Sequence, residues 1–508
     1  MSRPDAHAAT RAKPAPSAAS VREASVTIGL DVGTSGLKAV ALRPDGSVAF
    51  EASGHYPLLT PQPGWTEQDP TAWWQAAGEA LRALTSRIDP HRVEAVGVSG
   101  QMHGMVPLDE DGAPLRPALL WNDQRTAAQV RELEAAVPRD ELVRRTGNPA
   151  VTGFQLPKVL WLRDEEPDAY ARLRTVLFPK DWIAYRLTGV AAAEPTDASG
   201  SGAWSPATGD WDGELLDRVG IAKELFPQLV RSDDVVGTLT AEAAHATGLA
   251  DGTPVVAGAG DNAAAATALG LGQGAPDLGS LSLGTSGVLF APLSEPTPDP
   301  HGRIHLFAHA DGSWNLLGVT LAAAGSLAWW MRRTGVPEEQ TGDRVARALE
   351  RPIGAGGVTF LPYLAGERSP FLDPDLRGGF KGLSLASEDD DLVRAVLEGV
   401  AFSLRDVWGV MQPLGTPGRL LATGGGARGD GWIRLLADVL NVPIGVPADV
   451  PGAAHGAAVL AWRARGHRVP APTIDREWAP RPGPALEDAY ARFRAHAPPL
   501  EPDGADAR

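Results

Sequence analysis

The chain is 508 residues long, 43% hydrophobic and 21% charged, with a formal net charge of −16 and no cysteine. Such a length exceeds one hydrophobic core and predicts two domains of roughly 250 residues each, with the composition of an ordinary globular protein. The acidic balance, without any dense Lys/Arg run, argues against a nucleic-acid partner, and the lack of cysteine excludes disulfides and thiolate chemistry and fits a cytoplasmic enzyme.

Residues 1–24 are rich in Ala, Pro and Ser and lack the apolar core of a signal peptide, so they are expected to form a flexible leader. A β-meander is predicted next: Val26–Leu30, Leu37–Leu42, a turn at Pro44-Asp45-Gly46, then Val48–Ser53. Between the first two strands stands Gly33-Thr34-Ser35-Gly36, a small-residue turn whose backbone N–H groups and hydroxyls can approach a phosphate closely. Asp69-Pro70 opens a helix carrying Trp73, Trp74, Ala77, Leu81 and Leu84 on one face. Val93–Val98 reads as an apolar strand ending in Ser99-Gly100-Gln101-Met102-His103-Gly104, and helical patterns dominate from 125 to 190.

Val255–Ala259 is a further strand, ending in Gly260-Asp261-Asn262 ahead of an Ala-rich helix, Ala263–Leu269. A domain boundary is expected close to Gly272, giving an N-terminal domain over 25–272 and a C-terminal one over 273–470. The tetrapeptide then returns: Leu281-Ser282-Leu283 runs into Gly284-Thr285-Ser286-Gly287. Two copies suggest two similar halves facing one nucleotide, with one difference: the first carries Asp31 where the second carries Ser282. The apolar run Leu316–Met331 is short for a membrane span and is expected to be a buried helix. A helix with the spacing Leu392, Val396, Val400, Leu404, Val407 follows. Leu420–Ala422 then leads into Thr423-Gly424-Gly425-Gly426-Ala427, and a helix begins near Asp430. Residues 471–508, Pro-rich with one amphipathic helix at Leu486–Phe493, are expected to lie as a strap on the surface.

Several residues in this pattern could carry chemistry. Asp261, at a strand-to-helix junction, reads first as a helix N-cap; a general base is compatible with that position, because the helix N-terminus would keep its carboxylate ionised. Asn262 beside it can donate and accept hydrogen bonds to a substrate hydroxyl. Asp31 is either a turn-stabilising side chain or a Mg²⁺ ligand acting through water. The Gly424–Gly426 triplet reads as a flexible turn or as a nucleotide cradle at a helix N-terminus. Met102-His103 can be core or binding loop, Trp329 a packing residue or a platform for a purine, and Asp123 with Arg125 a local ion pair.

Taken together, the ordered segments resemble the FGGY carbohydrate kinases, and within them the xylulokinase branch, over roughly residues 26–465. The resemblance rests on Ile28–Ser35, Trp65–Pro70, Gly100–Gly104, Leu120–Asp123, Pro179-Lys180-Asp181, Gly260–Ala263, Ser282–Gly287, Phe360–Arg368 and Gly424–Arg428. It implies an α/β fold of two actin-like, ribonuclease-H-like ATPase domains with ATP and sugar in the cleft between them. It further implies that Asp261 is the catalytic base and that Met102, His103 and Asn262 contact the sugar. Asp31 would organise Mg²⁺, and the Gly33-Thr34-Ser35 turn would face the nucleotide. Gly284, Thr285, Gly325, Gly425, Gly426 and Ala427 would line the nucleotide site, with Trp329 near the adenine and Asp430 close by.

Two departures stand out. Asp430 occupies a position where several relatives have Asn, and the leader has no counterpart in the shortest relatives. The Gln-Met-His-Gly loop, where glycerol kinases of the family carry an Arg-Glu pair, implies phosphorylation of D-xylulose to D-xylulose 5-phosphate with ATP and Mg²⁺. The alternatives are a kinase for another ketopentose or a pentitol, and, from a different class, a non-catalytic nucleotide switch or sugar sensor. The expected partners are a small sugar and ATP, with neither nucleic acid nor membrane, and a homodimer is the candidate assembly.

Overall fold

A computed structural model of the protein describes residues 25–500; the predicted leader, 1–24, and residues 501–508 lie outside the described residues. Two mixed sheets organise the chain, and they repeat one topology. In the first, β1 (Val26–Val32), β2 (Leu37–Leu42) and β3 (Val48–Gly54) form an antiparallel meander. Beyond β1, β4 (Val93–Gly100) and β5 (Pro254–Gly260) run parallel to it. In the second, β6 (Leu278–Leu283), β7 (Gly287–Leu293) and β8 (Trp314–Thr320) repeat the meander, and β9 (Arg419–Thr423) and β10 (Ile444–Pro447) continue it in parallel. The parallel strands of each half therefore deliver their C-terminal ends to one side, where α/β folds place ligands.

The burial pattern explains why these residues form these strands. β1 is buried on both faces, and only Asp31 among its seven residues is partly exposed. In β6 the alternation is cleaner: Leu281 and Leu283 enter the core while Ser280 and Ser282 face outward. Behind the second sheet lies α4 (Asp389–Met411), whose apolar positions Val393, Val396, Val400, Leu404 and Val407 join the largest hydrophobic cluster. Its start carries a reciprocal capping box between Glu388 and Asp391.

Two sequence expectations are corrected. The apolar run Leu316–Met331 is not one helix: β8 ends at Thr320, and α3 (Ala324–Arg333) begins only after a break. An apolar run without clear period does not distinguish strand from helix, and no helix among the described residues is long and apolar enough to cross a membrane. The stretch beyond 470 is not a surface strap. Ile474–Trp478 pairs antiparallel with β10 as the edge strand of the second sheet, and the helix Pro484–Arg494 sinks Leu486 and Phe493 into the main core.

The C-terminal half also reaches across to the first sheet. Its helix α6 (Ala453–Ala464) leaves the second sheet and packs on the first, against β1 and β4. The approach is backbone to backbone. A β-carbon on Gly29 would lie 1.8 Å from the Ala454 carbonyl oxygen, and one on Gly97 would lie 2.1 Å from that of Ala457. The same helix meets α2 (Asp261–Ala268), where a β-carbon on Gly456 would lie 1.8 Å from the Ala264 oxygen. Small residues at these three points let the two helices and the sheet close without side chains between them.

Candidate active site

Asp261 is the first residue of α2, not its cap; Gly260 occupies the cap position and makes no side-chain cap bond. The strand leading to it is bulged between Val256 and Ala259, where Gly258 takes φ 76° and a β-carbon would strike the Val98 carbonyl oxygen at 1.6 Å. Bulges re-aim the chain beside active sites, and here the bulge turns the last strand residues into the helix. The carboxylate accepts two bonds at Oδ1 from its neighbour, the Asn262 N–H at 2.8 Å and the Asn262 Nδ2 at 3.0 Å. That Nδ2 also lies 3.7 Å from Met102 Sδ. Desolvation pushes the Asp261 carboxyl up to about 7, the negative charge of Asp31 adds to the shift, and the Asn262 bonds oppose it.

Asp31 sits at the end of β1, opposite Lys38 in β2 and Ser99 in β4. Burial raises its carboxyl to about 6, against the pull of Lys38, and its Oδ1 is buried with no partner among the described residues. The two acids stand at the ends of parallel strands on either side of β4, and the charge of Asp31 raises the Asp261 carboxyl.

The first Gly-Thr-Ser-Gly turn is held by a polar chain. The Gly33 N–H donates to the Gly36 oxygen at 3.1 Å, and the Tyr56 hydroxyl donates to the Gly33 oxygen at 2.6 Å. The Thr34 hydroxyl donates to Gln101 Oε1 at 3.1 Å and accepts from Trp121 Nε1 at 3.0 Å. Gln68 ties both ends together, donating to the Thr34 oxygen at 2.7 Å and accepting from Gln101 Nε2 at 2.9 Å. Ser35 projects from the same turn and is exposed. The loop that follows β4 is thereby locked to the first turn.

His103 lies at the tip of that loop with φ 69°, an uncommon conformation for a residue with a side chain. Its Nδ1 lies 2.8 Å from the Gly200 carbonyl oxygen, so that nitrogen carries the proton and Nε2 is the acceptor. The ring is buried and packed on Phe154, with centroids 4.8 Å apart, and on Phe307 at 5.7 Å. Burial, with Arg368 and Lys158 nearby, pulls its pKa well below the ordinary value, and the imidazole is neutral.

The loop's main chain is pinned as well. The Lys158 ammonium donates to the His103 carbonyl at 2.8 Å, and the His103 N–H reaches Asp197 Oδ1 at 3.3 Å.

The second turn is built differently. Leu283 pairs with Gly287, so Gly284, Thr285 and Ser286 form a three-residue connection, with the Gly284 N–H donating to the Ser286 oxygen at 3.0 Å. The Thr285 carbonyl accepts from the N–H groups of Ala323 at 2.8 Å and Gly325 at 3.3 Å. The turn is thus joined to the start of α3, and a β-carbon on Gly325 would lie 2.7 Å from that carbonyl. Gly424 and Gly426 pack against the end of β6, each within reach of Leu283. A cavity of about 260 Å³ connects the halves: Asn262, Ser282, Thr423 and Gly424 all line it.

The remaining positions are placed less centrally. Gly425, in the short turn between Gly424 and Gly426, has open space where a β-carbon would stand. Ala427 is buried in the C-terminal core, and Asp430 is committed to an ion pair with Arg476 on the edge strand. Trp329, half-buried on α3, lies beside Trp330 with centroids 6.0 Å apart. The expected Asp123–Arg125 pair forms at 2.8 Å, and the guanidinium stacks 3.7 Å from the Trp65 ring centroid.

Sequence reasoning missed the support beneath Asp261. The Gly260 N–H donates to Thr196 Oγ1 at 2.9 Å, and that hydroxyl donates to Glu194 Oε1 at 2.7 Å. Glu194 is fully buried, 3.3 Å from Lys180 Nζ, which also pairs with Asp181. The only signal was a pair of acids, Glu194 and Asp197, in a segment otherwise made of small residues. His305 and Arg368, which flank His103 from the other half, were likewise given no role.

The N-terminal domain model of the FGGY family of carbohydrate kinases matches residues 26–270, and the C-terminal domain model matches 279–465. A xylulose kinase of Escherichia coli (strain K12) is 40% identical over 438 residues, 85% of this chain and 89% of its own length. Among solved structures, a xyloylose kinase from Brucella ovis is 38% identical, with a TM-score of 0.86, and 93% of this chain and 98% of that chain are covered. A gluconate kinase from Lactobacillus acidophilus is 27% identical with a TM-score of 0.87, covering 93% of this chain and 96% of that chain.

Proposed function

The chain belongs to the FGGY family of carbohydrate kinases, and we infer from that footing that it transfers the γ-phosphoryl group of ATP to the terminal hydroxyl of D-xylulose. The products are D-xylulose 5-phosphate and ADP. The substrate reading rests on the identity to xylulose kinases along most of the chain. The observation that carries the chemistry is the Asp261–Asn262–Met102 contact, which sets a raised-pKa carboxylate beside the loop of His103.

In this reading Asp261 accepts the proton of the sugar's terminal hydroxyl as that oxygen bonds to the γ-phosphorus. A carboxylate whose pKa lies near neutrality is a better proton acceptor than an ordinary one, and it is about half ionised at pH 7 and largely ionised at pH 8. Asn262 keeps the base in place through Oδ1 and leaves Oδ2 for the hydroxyl. Met102 and His103 bound the sugar. The neutral ring presents Nε2 as an acceptor for a second hydroxyl, while Met102 covers the apolar side of the carbon chain.

The nucleotide lies across the cleft, with its phosphates toward the Gly33–Ser35 and Gly284–Thr285 turns and its base toward Trp329 on α3. The Thr285 carbonyl holds the N–H groups of Ala323 and Gly325, so the second turn and the start of α3 would meet the phosphates as one unit. Enclosure of the sugar between the halves keeps water from the γ-phosphate.

The residues present fit Mg²⁺. Asp31 offers a buried oxygen with no partner, Asp261 adds negative charge beside it, and the donors are hard oxygens. No cluster of three ligating side chains occurs among the described residues. When bound, it would neutralise charge on the β- and γ-phosphate oxygens. The direct test is ADP release with ATP, Mg²⁺ and a panel of ketopentoses, pentitols, glycerol and gluconate. D-Xylulose should give the highest kcat/KM. ADP release indifferent to every sugar would overturn the kinase reading.

A further inference from the structure

Arg368 reaches from the C-terminal half into the aromatic box that holds His103. Its Nε donates to His305 Nε2 at 3.0 Å, and His305 Nδ1 in turn lies 2.9 Å from Asn148 Oδ1. The His305 ring stacks on Phe307, with centroids 5.5 Å apart and planes 13° apart, and Phe307 packs on His103. Both imidazoles are buried and neutral, each held low by burial and by the Arg368 charge. Burial lowers Arg368 itself to about 10, so it remains a cation at neutral pH.

That cation is unbalanced. Among the described residues no carboxylate pairs with it, and its Nη1 and Nη2 have no protein hydrogen-bond partner; the adjacent Glu367 spends Oε1 on the N–H groups of Leu321 and Arg368. The residue is partly exposed, so the Nη donors of a guanidinium bonded only to a neutral imidazole are open to the oxygens of a ligand. Five donors and no acceptor define what those oxygens must be: acceptors, carbonyl or anionic.

Its place along the cleft narrows the choice. Asn262 links Asp261 to Met102, Met102 leads to His103, and Arg368 stands beyond His103. Asp261 feels the charge of Asp31, whereas His103 feels that of Arg368. A sugar whose reacting hydroxyl sits at Asp261 therefore turns its opposite end toward Arg368. In a linear 2-ketose that end carries the carbonyl.

Resting on the sugar-kinase reading above, we propose that Arg368 is a substrate-binding residue that donates from its Nη groups to the carbonyl oxygen of an open-chain 2-ketose and thereby selects ketoses over alditols. A carbonyl oxygen only accepts, which matches a group that only donates. The hydroxyl of an alditol at the same place would bring a proton that faces donors and lacks an acceptor. Because Arg368 comes from one half and His103 from the other, the contact also makes the sugar site depend on both halves.

The test compares the unaltered chain with Arg368→Met, Arg368→Gln and Arg368→Lys, using ADP release with D-xylulose and with xylitol. Arg368→Met should raise the KM for D-xylulose about tenfold to a hundredfold, the effect of one hydrogen bond to a charged group, and leave the KM for ATP within about twofold. The ratio of kcat/KM for D-xylulose over xylitol should fall about tenfold, and Arg368→Lys should recover part of it. Should Arg368→Met fold poorly, Arg368→Gln should show the same loss of ratio at an unchanged Tm. A folded variant whose ketose-to-alditol ratio equals that of the unaltered chain overturns the proposal while leaving the sugar-kinase reading intact. An unaltered chain that turns over gluconate but not D-xylulose overturns both, and assigns the guanidinium to a carboxylate.

Discussion

Asn262 lies against Met102, Nδ2 to Sδ 3.7 Å, and this contact joins the start of the helix bearing Asp261 to the loop that follows the central parallel strand of the first sheet. The same amide group holds Asp261 Oδ1 at 3.0 Å. Proton acceptor and loop therefore move as one unit, and disturbing either changes the position of the other.

We predict that Asp261→Asn lowers turnover by at least about a thousandfold, within the range of lost general-base catalysis, while D-xylulose still binds by calorimetry. The same variant should be more stable at pH 8. The native carboxyl titrates near 7 against an ordinary value of 3.8, so the native state favours the protonated form, and that advantage is lost as pH rises through 7. An amide keeps the Asn262 bond without the charge. The expected rise is ~2–4 °C in Tm, the response of a large domain to about 1 kcal/mol, and it should vanish at pH 3.5. Near-normal turnover would remove Asp261 from its role.

The pH dependence of kcat/KM should show an acid limb near pH 7, because only the ionised Asp261 accepts a proton. Desolvation is the larger cause and Asp31 the smaller. Asp31→Asn should therefore move the limb to lower pH by a fraction of the full shift, measured on the residual rate. A limb that stays in place would mean that the two carboxyls do not interact.

Asp31→Ala should cost about a hundredfold in kcat or more, and raising Mg²⁺ should recover only part of it, since the orphaned Oδ1 would be lost as a point of attachment. A Mg²⁺ titration indistinguishable from that of the unaltered chain would contradict the metal assignment.

The order of the strands near the cleft was readable because its signals are local. β1, β2 and β3 lie where apolar runs and the Pro44–Gly46 turn put them, and the expected strand at 255–259 falls within Pro254–Gly260. The repeated turn correctly marked two similar halves. What failed depends on contacts distant in sequence. Nothing near Ala453–Ala464 tells that this helix crosses to the other sheet; the glycines that admit it stand at 29 and 97. Glu194 and Thr196 carry no motif, Arg368 ends the Phe360–Arg368 segment without a role that the segment itself reveals, and only the fold brings them to Gly260 and His103. The cap reading of Asp261 missed by one residue, the ordinary uncertainty of a helix end.

The crossing helix makes its own prediction. Gly29→Ala places a β-carbon 1.8 Å from a carbonyl oxygen with backbone on both sides, so helix or sheet must yield. We expect a loss of at least ~2 kcal/mol by denaturant titration, the scale of overpacking a core. Gly342→Ala, on an open face of the helix Thr341–Glu350, is the matched control. It should stabilise the chain by ~0.5–1 kcal/mol through helix propensity.

Thr196 offers the sharpest separation of positioning from binding. Its hydroxyl accepts the Gly260 N–H at 2.9 Å and donates to the buried Glu194. Thr196→Val keeps the shape and removes both bonds, leaving a buried N–H without a partner one residue before Asp261. The stability cost should be ~1–3 kcal/mol. Because the sugar's own contacts are untouched, its KM should change less than about threefold while kcat falls about tenfold, a displaced base acting only in the transition state. Thr196→Ser, which restores the hydroxyl, should recover both quantities. A kcat that survives Thr196→Val despite the lost stability would show that the bulged strand alone aims Asp261.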